Sequence, residues 1–323
     1  MSTSGLRHAF VLDGKGGARA LDWAGVDAWT QNDGVLWLGL DYSAPDVIEW
    51  LDRRSQIDPV VLTGLMDPDP RPRATAYGED LMLIVRGINL NEGAAPEDMV
   101  SVRAWIEPRR VVTLRHRHSH VVHTLAELLE RGAGPRSTGE LTTLLVERIV
   151  ELVVRRVDAI GDSVAQCEED VLGEMTTGLR AQLADLRRRT ISLRRFLGPQ
   201  REALTKLSGI GVPWLEPSLR ARIAEVADDM TRTIEELDAT RDRASITQEE
   251  LGSRLTEATN QRLYILSLIT SIFLPLGFVC SLLGVNLGGV PFQKDNWAFW
   301  ALCGVFAVGV AAQLWLFKRR GWL

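Results

Sequence analysis

Apolar positions come in short, interrupted groups along roughly the first 260 residues and then in two unbroken runs near the C-terminus. The runs, Leu263 to Leu283 and Trp297 to Phe317, are each 21 residues long and contain no Asp, Glu, His, Lys or Arg. At about 1.5 Å rise per residue each reaches across the roughly 30 Å hydrocarbon core of a bilayer. The 13 residues between them, 284–296, are too few for a domain. The pattern therefore predicts two transmembrane helices joined in a hairpin.

Upstream, residues 1 to about 116 alternate short strand and helix patterns, within a cytoplasmic domain expected at 1–136. Val35 to Leu40 reads as a buried strand and Pro45 to Leu51 as an amphipathic helix. Asp80 to Leu90, Val100 to Glu107 and Arg110 to Leu114 read as strands, broken by Asn91-Glu92-Gly93 and Pro108. An α/β domain with a mixed sheet accounts for this order. Gly14-Lys15-Gly16-Gly17 lacks the rest of a phosphate-binding loop and reads as a hairpin turn. No dinucleotide or phosphate-loop fingerprint follows any strand, so no permanently bound cofactor is expected.

Residues 137–262 are helical in pattern. One helix is predicted from Thr138 to about Glu174. A second runs from Leu179 to Leu197 and ends at Gly198-Pro199. A third begins near Pro217, a favoured first-turn residue. From there to Pro275 the only glycine is Gly252 and there is no proline. Leu219, Ile223, Val226, Met230, Ile234, Leu237, Ala244, Leu251, Leu255 and Ala258 keep a near-heptad spacing. One stalk helix of about 65 residues is thus expected to continue into the first span.

The polar and small residues of that span fall on one line. Asn260, Leu263, Ser267, Thr270, Leu274, Gly277 and Ser281 follow alternating steps of three and four, the spacing of a helix stripe. Ile265, Leu268, Ile272 and Phe273 lie opposite, suited to lipid or a neighbouring helix. Such a stripe either lets helices approach closely or lines an aqueous path. A single hairpin cannot enclose a path, so the second reading requires an oligomer.

Charge sets the orientation. Arg254 and Arg262 precede the first span, and Lys318, Arg319 and Arg320 follow the second, whereas the intervening loop has one lysine. The positive-inside rule then puts both termini in the cytoplasm, the 284–296 loop outside and 318–323 as a basic cytoplasmic tail. Trp297 and Trp300 at one end, with Trp315 and Trp322 at the other, suit two interfacial belts. The N-terminus has no apolar stretch of the secretory kind. Three cysteines without metal-ligand spacing fit a reducing compartment, and a net charge of −5 gives no support to nucleic-acid binding.

Two clusters are candidate metal sites. His116, His118 and His120 would share a face if extended, and imidazole suits zinc. The interleaved Arg115 and Arg117 oppose cation binding, and a polar strand-to-helix loop is the other reading. The stalk carries eleven Asp and Glu against six Arg between Glu216 and Glu257. Asp228, Asp229 and Asp238 there could attract cations between assembled copies, or form a solvated face with intrahelical ion pairs. Within the spans a divalent ion would meet only hydroxyls, carbonyls and the Asn286 amide, so the residues suit a largely hydrated ion.

Gly284-Val285-Asn286, followed by Gly288-Gly289-Val290-Pro291 and preceded by Phe273-Leu274-Pro275-Leu276, resembles the CorA metal-ion transporter superfamily, in its zinc-transporting ZntB-like branch. Most of that superfamily reads Gly-Met-Asn at the tip. Arg71-Pro72-Arg73, Arg86-Gly87-Ile88-Asn89-Leu90-Asn91, Pro96-Glu97-Asp98-Met99-Val100-Ser101 and Pro199-Gln200-Arg201-Glu202 carry the same likeness. The resemblance implies a funnel-shaped homopentamer in the bacterial cytoplasmic (inner) membrane, with the first spans forming the pore. It puts Asn260 near the cytoplasmic mouth and the Gly284, Val285 and Asn286 signature at the outer ring. Its substrate would be a divalent cation, Zn²⁺ first and Mg²⁺, Co²⁺ or Ni²⁺ as the alternative, with protons as a second partner. One departure is Cys280-Ser281, where the branch commonly has Thr-Gly. The competing reading from another class is a membrane-tethered scaffold or metal sensor. No nucleophile–base pair suggests an enzyme.

Overall fold

In the computed structural model, residues 4–173, 178–284, 295 and 297–320 are described. The chain divides into two units, Met1–Gln248 and Glu249–Leu323.

The first unit is built on seven strands: β1 (Leu6–Leu12), β2 (Ala18–Ala20), β3 (Val35–Asp41), β4 (Arg73–Tyr77), β5 (Asp80–Gly87), β6 (Val100–Glu107) and β7 (Arg110–Arg115). They form one mixed sheet in the order β2-β1-β3-β7-β6-β5-β4. Only the β3–β7 pair is parallel, with Leu38 opposite Val112. Its other pairs are antiparallel, so short turns suffice, as at β1–β2, where the Asp13 carboxylate accepts from the N–H groups of Lys15 and Gly17.

Three short helices, α1 (Trp23–Ala28), α2 (Pro45–Arg53) and α3 (Pro59–Leu65), cover one face of the sheet. Asp22 and Asp58 cap α1 and α3 with their carboxylates, and Pro begins both α2 and α3. Leu36, Leu38 and Leu40 of β3, each at most 1% exposed, meet Val47, Leu51, Val61 and Leu65 in that core. Next come α4 (His120–Glu130), α5 (Thr138–Leu172) and α6 (Leu179–Gly209). Helix α5 packs on α4 and β5, and α6 on α5, β4 and β5.

Helix α6 runs on past the Gly198-Pro199 stop that the sequence predicts. The reason lies beyond the proline. Ala203, Leu204 and Leu207 are buried, and the fully buried Gln200 accepts the Arg86 backbone N–H at 2.6 Å. Strand β4 ends opposite Ile84, so it offers Arg86 no ladder partner, and the helix supplies one through a side chain. Tertiary burial here outweighs the local cost of an interior proline.

Helix α7 (Pro217–Leu283) is a single element of 67 residues, matching the predicted long helix. In the first unit its Leu219, Ile223, Met230, Ile234 and Leu237 are buried. Ion pairs Arg222–Glu147 and Arg243–Glu168 tie it to α5, and Arg194–Asp238 ties it to α6.

The second unit holds the end of α7 and α8 (Ala298–Arg319), each containing a stretch long and apolar enough to cross a membrane. Lys318 and Arg319 close α8, where cations complement the helix dipole.

Gln200→Leu should lower the unfolding free energy of the first unit by about 1–3 kcal/mol, because a buried N–H loses its acceptor. Denaturant unfolding of the full chain in detergent measures this; unchanged stability would contradict the assigned bond.

Candidate functional site

The membrane hairpin is arranged by which faces the two helices turn to each other. Along α7, Leu268, Ile272, Leu276 and Val279 are half-buried, at steps of four, four and three. Along α8, Ala298, Leu302, Phe306, Val310 and Gln313 are half-buried and Phe317 buried, again at helix spacing. These two lines form the contact, as periodicity requires of helices packed side by side.

The polar stripe is elsewhere. Asn260, Leu263, Ser267, Thr270, Leu274, Gly277 and Ser281 are all exposed within the chain, Leu274 at 70%. Helix α8 therefore packs on the Leu268, Ile272, Leu276 and Val279 line of α7 and leaves the hydroxyl-bearing side open, along with the bulky Ile265 and Phe273. Thr270 donates its hydroxyl to the Leu266 carbonyl at 2.8 Å, and its oxygen still has a lone pair to offer. Gly277 has nothing within 4 Å of an added Cβ, so its surface is clear. Among the tip residues, Gly284 continues the helical bonding by donating to the Cys280 carbonyl at 2.9 Å. Val285 and Asn286 lie outside the described residues.

The histidine loop gives His116, His118 and His120 different surroundings, while the ring of His118 meets that of His123 edge-on at 5.3 Å. His116 meets the Ser43 hydroxyl through Nδ1 at 2.9 Å, beside Tyr42. His118 accepts from the Arg115 guanidinium through Nδ1 at 2.9 Å, and burial, with Arg115 next, lowers its pKa. His120 is exposed at the first turn of α4. Among the described residues, no three His, Cys, Asp or Glu side chains come together to hold a metal ion. On α7, Asp229 pairs with Arg232, Asp238 pairs with Arg194 and Arg241, and Asp228 is exposed.

One histidine that the sequence pattern did not single out does join this neighbourhood. His8 of β1 lies in a cavity of about 380 Å³ with Gly39, Thr113, Arg115, His118 and His123. Its ring stacks on Phe10 and meets Trp37 edge-on, over Gly39, where a Cβ would stand 2.1 Å from the imidazole. Burial, then the charges of Arg115 and His123, lower its pKa to about 4. Strand register brings β1, β3 and β7 together here, so no local spacing could have revealed it.

A family model described as CorA-like Mg2+ transporter protein matches residues 32–319. The chain belongs to this family. The relationship extends to nearly the full length of individual CorA-like relatives. The chain is 33% identical over 316 residues to the zinc transport protein ZntB of Yersinia pseudotuberculosis, covering 98% of this chain and 95% of that one. It is 36% identical over 324 residues to the divalent cation transporter CmaX of Pseudomonas aeruginosa, covering 99% and 97%. The solved structure of full-length CmaX superposes with a TM-score of 0.86 at 34% identity, over 99% of this chain and 98% of that one. The CorA magnesium transporter of Methanocaldococcus jannaschii shares the fold, with a TM-score of 0.80 at 17% identity over 98% of each chain. The α/β domain, long helix and two C-terminal apolar helices are thus the fold of CorA-like proteins.

His8 titrates differently in the folded and unfolded chain. It is neutral in the fold down to about pH 4, whereas the unfolded side chain takes a proton near 6.5, so stability falls as pH drops from 6.5 to about 4. His8→Phe, which keeps a ring against Phe10 and Trp37, should flatten thermal stability across that window. An unchanged slope would contradict the assignment.

Proposed function

We propose that this chain transports divalent metal cations across the cytoplasmic membrane as a homopentamer, with Zn²⁺ as its first substrate. The observation that carries the proposal is the uncovered stripe of α7. Hydroxyls and small residues facing lipid would gain nothing, and α8 does not cover them. A ring of copies with this stripe on its axis gives them a water-filled lining. The family is one of transporters, and the relatives named for zinc and for divalent cations match this chain from end to end.

The division that goes with this reading is a cytoplasmic domain at 1–136, a helical region at 137–262, spans at 263–283 and 297–317, an external loop at 284–296 and a basic tail at 318–323. Both termini are cytoplasmic. In the ring, Asn260 stands at the inner mouth, and Gly284, Val285 and Asn286 at the outer one.

No side chain in either span is charged, so the path cannot replace the hydration shell of a divalent ion with carboxylates or imidazoles. Dehydrating such an ion is costly, and hydroxyls with the Asn286 amide bind its water instead. Ser267 and Thr270 continue that polar lining inward. On α7, the exposed Asp228 would draw cations to the assembled stalks, whereas the charges of Asp229 and Asp238 are offset by their arginine partners. Protons have no titratable carrier on the stripe, so any coupling to them runs through water or through groups of the cytoplasmic unit.

Ser267→Leu with Thr270→Leu should cut Zn²⁺ flux into liposomes by about tenfold or more, since an apolar constriction excludes water. Asn286→Ala should reduce it also. Full flux in both variants, with the wild type active, would favour a scaffold or sensor whose hairpin only anchors it.

A further inference from the structure

Pro275 lies inside the membrane stretch of α7 and brings no backbone N–H. In an unbroken α-helix that N–H would donate to the carbonyl four residues earlier, which is Ser271. The Ser271 carbonyl is therefore deprived of its intrahelical donor, in a stretch where hydrocarbon offers no replacement.

Helix α8 supplies the replacement. Gln313 is the only side-chain amide between 298 and 317. Its Nε2 donates to the Ser271 carbonyl at 2.8 Å and lies 3.3 Å from the Ser271 hydroxyl oxygen. The same residue sits half-buried on the α8 line that faces α7, between Val310 and Phe317. An amide at that depth needs a partner as much as the orphaned carbonyl does, so each accounts for the other.

We propose that Gln313 is a positioning residue: it stands in for the missing N–H of Pro275 and pins the pore helix at its interior proline. Ser271 adjoins Thr270 of the open stripe, so the bond fixes the rotation of α7 about its axis relative to α8. It also fixes the direction in which residues 276–284 lead to the tip. Gln313 touches no ion and acts only through α7. The inference rests on the transport reading for its flux assay and not for its stability assay.

The geometry makes a specific demand. Pro275→Ala restores the N–H, closes the bond to the Ser271 carbonyl and makes Gln313 dispensable. The test compares wild type, Gln313→Leu, Pro275→Ala, the double variant and Gln313→Glu, by Zn²⁺ uptake into liposomes and by thermal unfolding in detergent. Gln313→Leu should lower uptake by about fivefold or more and lower Tm, the scale of an interhelical hydrogen bond lost in a membrane. On the Pro275→Ala background the same substitution should change uptake by less than about twofold and leave Tm in place. Gln313→Glu can donate only when protonated, so its uptake relative to wild type should climb from about pH 7.5 to about pH 5.5. A pure packing role would give no such profile. Equal losses on both backgrounds, or no loss from Gln313→Leu in either assay, would overturn the proposal. If the wild type moves no zinc, the transport reading fails and the Tm coupling between positions 275 and 313 alone decides the clamp.

Discussion

A helix in hydrocarbon must satisfy its own backbone and can show polar groups only where something other than lipid meets them. That constraint organises the second unit of this protein. The 21 residues from Leu263 to Leu283 carry no charge, yet they hold three serines, a threonine and a proline. Ser271 and Pro275 are resolved within the hairpin by Gln313 of α8. Ser267, Thr270 and Ser281 stay exposed on the part of α7 that α8 does not cover. The hairpin is thus internally complete on one side and unfinished on the other, and the unfinished side is the one a ring of identical chains would close.

The first unit answers a different problem, the support of a long helix. Its mixed sheet buries one face under α1 to α3 and leaves β4 and β5 to receive α5 and α6. Those helices hold the first half of α7 by buried aliphatic residues and by the Arg222–Glu147, Arg243–Glu168 and Arg194–Asp238 pairs. The acidic side chains of α7 are partly engaged: Asp238 faces Arg194 of α6, Asp229 pairs with Arg232 one turn along α7 itself, and Asp228 is exposed.

Elements with long, uniform patterns were legible from the residues alone. The spans, α5, the start of α7 and the strands at 35–40, 80–90, 100–107 and 110–114 each carry several turns or alternations of one period. The Gly14–Gly17 turn implies the β1–β2 hairpin, but Arg7 and His8 interrupt the apolar run of β1 and blur its extent, and β4 is a five-residue edge with few buried positions. Helices α1 and α3 have six and seven residues, too short to show a period. Pro199 by itself predicts an end to α6, but Gln200 and three buried apolar residues beyond it hold the helix on the sheet. The polar stripe was visible as spacing, but which side α8 would cover was not. That depends on Gln313 and the Ala298–Phe317 line of another helix. His8 likewise becomes a neighbour of His118 and His123 only through strand register.

Water access along α7 tests the account most directly. In a background with Cys280 and Cys303 replaced, single cysteines at 267, 270, 274 and 277 and at 268, 272 and 276 would be exposed to a membrane-impermeant thiol reagent in liposomes. The account predicts labelling at the first four positions, suppressed by Zn²⁺ in the path, and none at the three that face α8. Labelling at 268, 272 and 276, or none at any of the seven, would contradict a pore lined by the open stripe.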